Sequence, residues 1–472
     1  MGECSVKKRL CLVLSVLLVL TLCACGGQEE PKEPAVFQAG YARVDITPVG
    51  QQPLGGYGQA KKRQSTNVLD PLYVTCIALK DTDDQTVLLF SMDVISSGKT
   101  PNIRRIVEEA TGVPQTHIMV AATHTHSAPD LTLAGSFVQG LQDGCVEAAK
   151  AAVADLSPAE VAAASTATEG MNFVRHYLMN DGTYAGDNFG STKSGYKEHA
   201  EENDPGMQVV RFTRAAEDKK DIIMVNWQAH PCITGGLTKT DVSADFIGST
   251  RQYVELQTKQ HFIYFTGAAG NQNAKSYIAG ETPTTNYQEF GVMLGDYVLK
   301  ALENVTPVAS GIIRTNKQVF TAEIDHSFDH LADKAAEVTA VYNAEGRDAG
   351  NKVARQYGIS SVYHASAITK RLSMGETKDL TIDTVTVGGL AFACAPYEMF
   401  ACHGRYIKEN SPAEMTLVLS CCNGGNGYIP SNKAYDFGCY ESHTGKFARG
   451  TGDQLAELFV SMIGETDFPL GA

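Results

Sequence analysis

Basic residues are scarce in this chain. Lys and Arg number 39 against 53 Asp and Glu, a net charge of −14 over 472 residues. Such a surface repels phosphate backbones and anionic head groups, which argues against a nucleic-acid reader or a polybasic membrane binder. Tryptophan is scarcer still. Trp227 stands alone, and it reads as packing rather than as a substrate contact. No internal repeat is visible, which excludes a solenoid or a propeller. Cysteine is present at twelve positions, yet no pair has the Cys-x-x-Cys spacing of a metal or redox motif. Four of them lie within residues 1–25. The other eight read as small buried apolar side chains, because a chain this long needs no disulfide framework.

The chain opens on Lys7, Lys8 and Arg9 and then a nearly unbroken apolar run, Leu10–Leu22. That run is too short and wrongly flanked for a membrane-spanning helix. It ends in Leu22-Cys23-Ala24-Cys25-Gly26, which resembles the signal of bacterial lipoproteins, a small residue before a cysteine that is cleaved and lipidated. Residues 1–25 are therefore expected to be a signal peptide and 26–37 a flexible tether. Residues 38–472 are expected to be one large catalytic domain. The mature protein would sit on the outer face of the cell membrane, held by lipid on Cys25.

The most informative stretch is His117–Asp130, HIMVAATHTHSAPD. An apolar run, Ile118–Ala122, breaks into Thr123-His124-Thr125-His126. In an extended backbone His124 and His126 would face the same side. Four more apolar runs stop in the same way. Ile222–Val225 leads to His230, Phe262–Phe265 to the run Gly270–Asn273, Leu390–Ala395 to Glu398, and Met415–Leu419 to Tyr428. Sites in α/β proteins gather at the carboxyl ends of strands. His124, His126, His230, Glu398 and Tyr428 could thus converge, and their nitrogen and oxygen donors suit zinc. Each also has a plainer reading. His230 could be a core histidine bonded to backbone, Glu398 a carboxylate at a helix N-terminus, and Tyr428 an exposed loop residue. Asp93 could be a site residue or a turn cap.

Helical spacing separates the strands over Asn102–Ala110, with Gly112 as a stop, over Tyr287–Leu302, and across Asp325–Tyr342. His326 and His330 in the last of these read as a solvated face. Ala152–Thr168 and Thr192–Asp204 read as surface connections. The sum is an α/β fold with a mixed β-sheet core and flanking helices.

These residues together resemble the neutral/alkaline non-lysosomal ceramidase family. Gly40-Tyr41-Ala42-Arg43-Val44-Asp45-Ile46-Thr47-Pro48 is similar to its N-terminal strand signature, followed by Gly55-Gly56-Tyr57-Gly58. Ala122–Ser127 and Asn226–His230 match its two histidine motifs, Tyr397-Glu398 its zinc glutamate, and the run from Asn423 to Tyr440-Glu441 its terminal motif. The resemblance implies Zn²⁺ held by His124, His230, Glu398 and Tyr428. It implies His126 as a proton-transfer or oxyanion group off the metal, Tyr440 as a second active-site tyrosine, and Arg175 facing the substrate.

Two departures accompany it. The family serine falls on Asn273, in Gly270-Asn271-Gln272-Asn273-Ala274, and an amide is no nucleophile. The chain also ends soon after the terminal motif, where the family's ceramidases carry an immunoglobulin-like domain. The expected function is a lipid-anchored zinc hydrolase of N-acyl bonds acting on a small-molecule or lipid substrate. The alternatives are a degenerate member that binds a lipid or glycan without turnover, and a solute-binding lipoprotein that feeds a transporter.

Lipidation gives the first test. Wild-type protein is expected to partition with membranes and extract into detergent, whereas Cys25→Ser carries no lipid. A mature N-terminus found unmodified at another residue by mass spectrometry contradicts the assignment.

Overall fold

Short apolar runs bounded by glycine and polar residues become strands, and they assemble into two facing sheets. The computed structural model describes residues 36–57 and 62–466, so the proposed signal peptide and Cys25 lie outside the described residues. The larger sheet is built from β1 (Gln38–Asp45), β2 (Tyr73–Lys80), β3 (Thr86–Met92), β4 (Ile118–Ala122), β5 (Ser157–Ala167), β6 (Gly206–Arg214), β7 (Ile222–Trp227) and β8 (His261–Thr266). Their spatial order is β8-β7-β6-β5-β1-β2-β3-β4, and the short strand Thr306–Pro307 beside β5 makes nine. The smaller sheet has β9 (Ile313–Glu323), β10 (Thr377–Val387), β11 (Leu390–Cys394) and β12 (Met415–Leu419), in that order.

The principal helices are α1 (Thr100–Thr111), α2 (Gly135–Ala154), α3 (Asp245–Thr258), α4 (Tyr287–Leu302), α5 (Ala332–Glu345), α6 (Arg347–Gln356), α7 (Val362–Arg371), α8 (Ala401–Asn410) and α9 (Thr451–Gly464). Apolar side chains of the two sheets meet between them. Ile77, Leu89, Met119, Phe212 and Ile263 pack with Val385, Phe392 and Leu417. Helices α1 and α2 cover one part of the larger sheet's outer face, through Ile103, Val107, Leu141 and Ala148. Helices α3 and α4 cover the rest, through Phe246, Val254, Phe290 and Leu294. Helices α8 and α9 close the outer face of the smaller sheet with Ile407, Leu455 and Phe459. The result is four layers, helix–sheet–sheet–helix, and the mixed α/β reading holds. Trp227 is fully buried against Phe246 and Phe290, as its packing role requires.

Most neighbouring strands are antiparallel. Within the two main sheets three pairs are parallel, namely β3–β4, β7–β8 and β11–β12. A parallel pair needs a crossover, and helices α1, α3 and α8 lie within these three connections. The carboxyl ends of all three pairs come together where the sheets are stitched to each other. Asn423 donates its backbone N–H to the Val120 carbonyl and Ser420 donates to Thr266, at 2.8 and 2.9 Å. The fully buried Asn226 side chain donates to the carbonyls of Phe265 and Val418 and accepts from the Val418 N–H, at 3.0, 2.9 and 3.0 Å.

The helix expectations meet mixed outcomes. Helix α1 ends as the sequence suggests, with Gly112 in the left-handed region at φ 76°. Helix α4 runs over the expected residues, capped by Asn286, whose side chain accepts from the N–H groups of Gln288 and Glu289. Across Asp325–Tyr342, however, α5 begins only at Ala332, after a single tight turn at Asp329–Leu331. Asp325 accepts from the Ser327 N–H instead, a local bond that competes with helix.

Ala152–Thr168 is not a surface connection. It holds the end of α2 and then β5, which lies inside the sheet between β6 and β1. Alanine has a low strand propensity, but pairing on both edges overrides it. Thr192–Asp204 likewise contains a strand, Tyr196–His199, paired to His176–Met179.

Asn226→Ala would orphan two carbonyls and an N–H in the dry junction between the sheets. It should destabilise the protein by about 2–4 kcal/mol, the cost of buried unsatisfied groups. Chemical denaturation should show a lower midpoint at unchanged slope.

Candidate metal centre and active site

Each parallel strand pair delivers one site residue just past its carboxyl end. Strand β4 stops at Ala122, and the backbone leaves the sheet with His124 in the left-handed region, at φ 70°. Histidine is among the residues that tolerate this conformation. The His124 N–H donates to the Val94 carbonyl at 3.0 Å and holds the bend. The simple alternation expected for His124 and His126 in extended backbone is therefore incorrect. The bend brings the two imidazoles together edge-on all the same, with their Nε2 atoms 3.4 Å apart. His230 follows β7 and is fixed by its N–H to the Gln272 carbonyl, at 2.9 Å. Glu398 follows β11 in a two-residue strand paired with Tyr428–Ile429.

Glu398 Oε2 lies 3.3 Å from His124 Nε2 and 3.3 Å from His230 Nε2. The Nδ1 atoms of both histidines donate to main-chain carbonyls, His124 to Ile95 and His230 to Ala269, each at 2.7 Å. Carbonyls only accept, so Nδ1 carries the proton and each Nε2 lone pair turns inward. Glu398 Oε2 and His230 Nε2 are buried without a hydrogen-bond partner among the described residues. Acceptors facing acceptors require a cation between them. A tetrahedron with zinc–nitrogen bonds of 2.0–2.1 Å has an edge of about 3.3 Å. The spacing and the N/O donor set both fit such an ion.

His126 is held differently. Its Nδ1 has no partner, and its ring packs on the edge of Tyr57 at 4.9 Å. Gly56 leaves room for this contact, since a Cβ there would lie 2.8 Å from the His126 ring. Burial and the neighbouring His124 and His230 push the His126 pKa well below the usual histidine value. Burial works against charge on His124 too, but Cys421 and Glu398 outweigh it and raise its pKa. Burial likewise opposes charge on Glu398, yet His124 and His230 hold its carboxyl well below the usual range.

Arg175 enters the same cluster. Its guanidinium lies over the Tyr428 ring at 5.5 Å. Nε donates to Glu441 Oε1 at 2.7 Å, and Nη2 donates to Glu441 and to the Gly270 carbonyl. The other Glu441 oxygen accepts from His176 Nε2 at 2.7 Å. Tyr428 and Tyr440 meet edge-on at 6.1 Å, and Tyr428 stacks toward His230 at 6.4 Å.

The family model for the N-terminal part of neutral/alkaline non-lysosomal ceramidases matches residues 37–286. The chain belongs to the neutral/alkaline non-lysosomal ceramidase family. That membership supports a hydrolase. Among solved structures, the neutral ceramidase from Pseudomonas aeruginosa superposes with a TM-score of 0.67 at 15% identity, covering 93% of this chain and 77% of that one. A ceramidase complexed with C2 gives 0.68 at 15% identity, with 93% and 76% covered. Among curated proteins none matches in sequence.

Asn273 is 8% exposed and paired in register beside His230. Its Oδ1 has no partner, and its Nδ2 lies 3.5 Å from Asp187. Asn273, Asp187, Tyr57, Cys232 and Tyr277 line a cavity of about 370 Å³. Asp93, a candidate from sequence, is elsewhere. It forms a buried two-oxygen ion pair with Arg251 at 3.0 and 2.9 Å. His326 pairs with Asp329 at 2.8 Å and joins no metal cluster among the described residues. Sequence reasoning missed Asp187, Tyr57 and His176. Tyr57 and His176 adjoin Gly56 and Arg175 in sequence, whereas Asp187 lies 86 residues from Asn273 and carries no such signal.

Glu441 is fully buried, and Arg175 and His176 hold its carboxyl below the usual range against the effect of burial. A depressed carboxyl stabilises the fold above its unfolded value of about 4.3. That contribution drains as pH falls toward the folded value. Glu441→Gln should cost about 3–5 kcal/mol near neutral pH by leaving the buried cations unpaired. It should also flatten the acid limb of stability against pH. An unaltered acid limb contradicts this role.

Proposed function

We propose that the protein is a lipid-anchored, extracytoplasmic, zinc-dependent amidohydrolase that cleaves an N-acyl bond. The reading is carried by the equal 3.3 Å spacing of Glu398 Oε2 from two inward-facing imidazole nitrogens. His124, His230 and Glu398 would hold the ion, with Tyr428 as a fourth donor paired beside Glu398. A zinc ion there supplies Lewis acidity and a water activated near neutral pH.

The chain's own residues supply the remaining functions. His126 differs from the two ligand histidines in having no carbonyl to fix its Nδ1, which favours a proton carrier over a ligand. Its ring accepts a proton as the amide carbonyl is attacked and returns it to the leaving amine. Arg175 has Nε and Nη2 committed to Glu441 and Gly270, which leaves Nη1 for the carbonyl oxygen as it gains charge. Tyr440, edge-on to Tyr428, adds a hydroxyl on the same side. Asn273 offers an amide donor where the family has a serine, so attack by its side chain plays no part.

The substrate reading is an acyl compound smaller or more soluble than long-chain ceramide, and it rests on Asn273 standing where the family has a serine, beside a cavity of about 370 Å³. A second reading, binding without turnover, draws support from the same Asn273.

Purified protein should contain about one zinc per chain, and His124→Ala and His230→Ala should each lose most of it. His126→Ala should keep its zinc while turnover falls about 10²–10⁴-fold. Full metal retention in both ligand variants contradicts the site. Hydrolysis of ceramide exceeding that of every short N-acyl compound contradicts the substrate reading.

A further inference from the structure

Positive charge gathers one ring outward from Tyr428, on an otherwise acidic protein. A cavity of about 220 Å³ is lined by Tyr440, Tyr363, Lys370, Arg371, Met374 and Lys446. Tyr440 touches Tyr428 edge-on at 6.1 Å and Tyr363 at 6.0 Å, so its ring links this cavity to the metal centre. Lys446 Nζ donates to the Asn426 carbonyl and Lys378 Nζ donates to Asn426 Oδ1, each at 2.8 Å. Both lysines therefore lie against the loop that ends in Tyr428.

The lysines here lack a paired carboxylate. Among the described residues neither lysine, nor Lys370, has a carboxylate within ion-pair distance. Arg371 is 1% exposed, and only its Nη1 is satisfied, by the carbonyls of Gly445 and His443 at 2.6 and 3.2 Å. Its Nε and Nη2 have no partner, and the nearest carboxylate, Asp325, stands 4.0 Å away. Burial, Lys378 and Lys370 together push the Lys446 pKa down to about 8, against the pull of Glu398. Cations crowd together in a partly dry cavity at a cost unless an anion joins them. Lysine ammoniums without a carboxylate partner, at the edge of a cavity that a buried guanidinium also lines, match a carboxylate, sulfonate or phosphate.

We propose that this cavity is a subsite for an anionic group carried by the N-acyl substrate, so that the enzyme favours anionic acyl amides over neutral ones. The inference rests on the hydrolase reading above and names its substrate class. The plainer role, in which the lysines only brace the Asn426 loop, predicts equal effects on charged and neutral substrates.

The test uses two matched pairs. In one the anion is on the amine half, N-octanoylglycine against N-octanoylethanolamine. In the other it is on the acyl half, N-octylsuccinamic acid against N-octylbutanamide. One pair should show kcat/KM about tenfold or more higher for the anionic member. Lys446→Met and Lys370→Glu should each cut that ratio at least about fivefold, while Lys150→Met on the outer helix α2 leaves the ratio alone. The ratio is insensitive to the fraction of folded enzyme. Ratios of one or less in both pairs, or ratios untouched by both variants, overturn the proposal. Calorimetric binding of N-octanoylglycine and N-octylsuccinamic acid to metal-stripped protein separates the two levels. Binding weakened by Lys446→Met without turnover of any amide keeps the subsite and removes the hydrolase. Turnover of neutral amides, with binding indifferent to Lys446→Met, does the reverse.

Discussion

A carboxylate buried between two imidazole nitrogens is the constraint on which the rest of this structure depends. Glu398 Oε2 faces two Nε2 lone pairs that cannot donate to it, because each ring's proton is already given to a main-chain carbonyl. Such a group is stable out of water only with positive charge in its midst. A divalent ion would balance these three atoms.

The fold around it is arranged to hold three strand ends at one point. Only three strand pairs in the two main sheets are parallel, and each sends its carboxyl end to the same place. The bonds of Asn226 and the register of Asn423 on Val120 stitch the sheets together there. A second tie comes from the C-terminal part of the chain. Glu441 clamps Arg175 and His176, and so fixes the guanidinium over Tyr428. Metal donors, arginine and both tyrosines are thus held together from across more than three hundred residues of sequence, His124 to Tyr440.

Much of this was legible in the sequence because it is local. Ile118–Ala122, Met415–Leu419 and Tyr287–Leu302 carry their own periodicity and stop signals, and the structure gives them the same bounds. His124, His230 and Glu398 each sit just beyond such a run, so position alone brought them together. Strand β5 was not legible, since its alanines become a strand only through two neighbours distant in sequence. Nor was the left-handed turn at His124. The histidines converge through that turn rather than through strand alternation. Asp187 and His176 had no signal of their own, because their importance lies in what approaches them from elsewhere in the fold.

Among the described residues two buried clusters have metal-ligand spacing, His124–His126–His230 and His176–Cys439–Glu441. The second is already balanced by Arg175 and contains sulfur; the first offers imidazole nitrogens, with the Glu398 carboxylate beside two of them. Anomalous diffraction on either side of the zinc absorption edge, from crystals of protein purified without added metal, decides between them most directly. The account predicts one strong peak bounded by His124, His230 and Glu398. A peak at Cys439, or none at Glu398 in crystals shown to contain zinc, would contradict it.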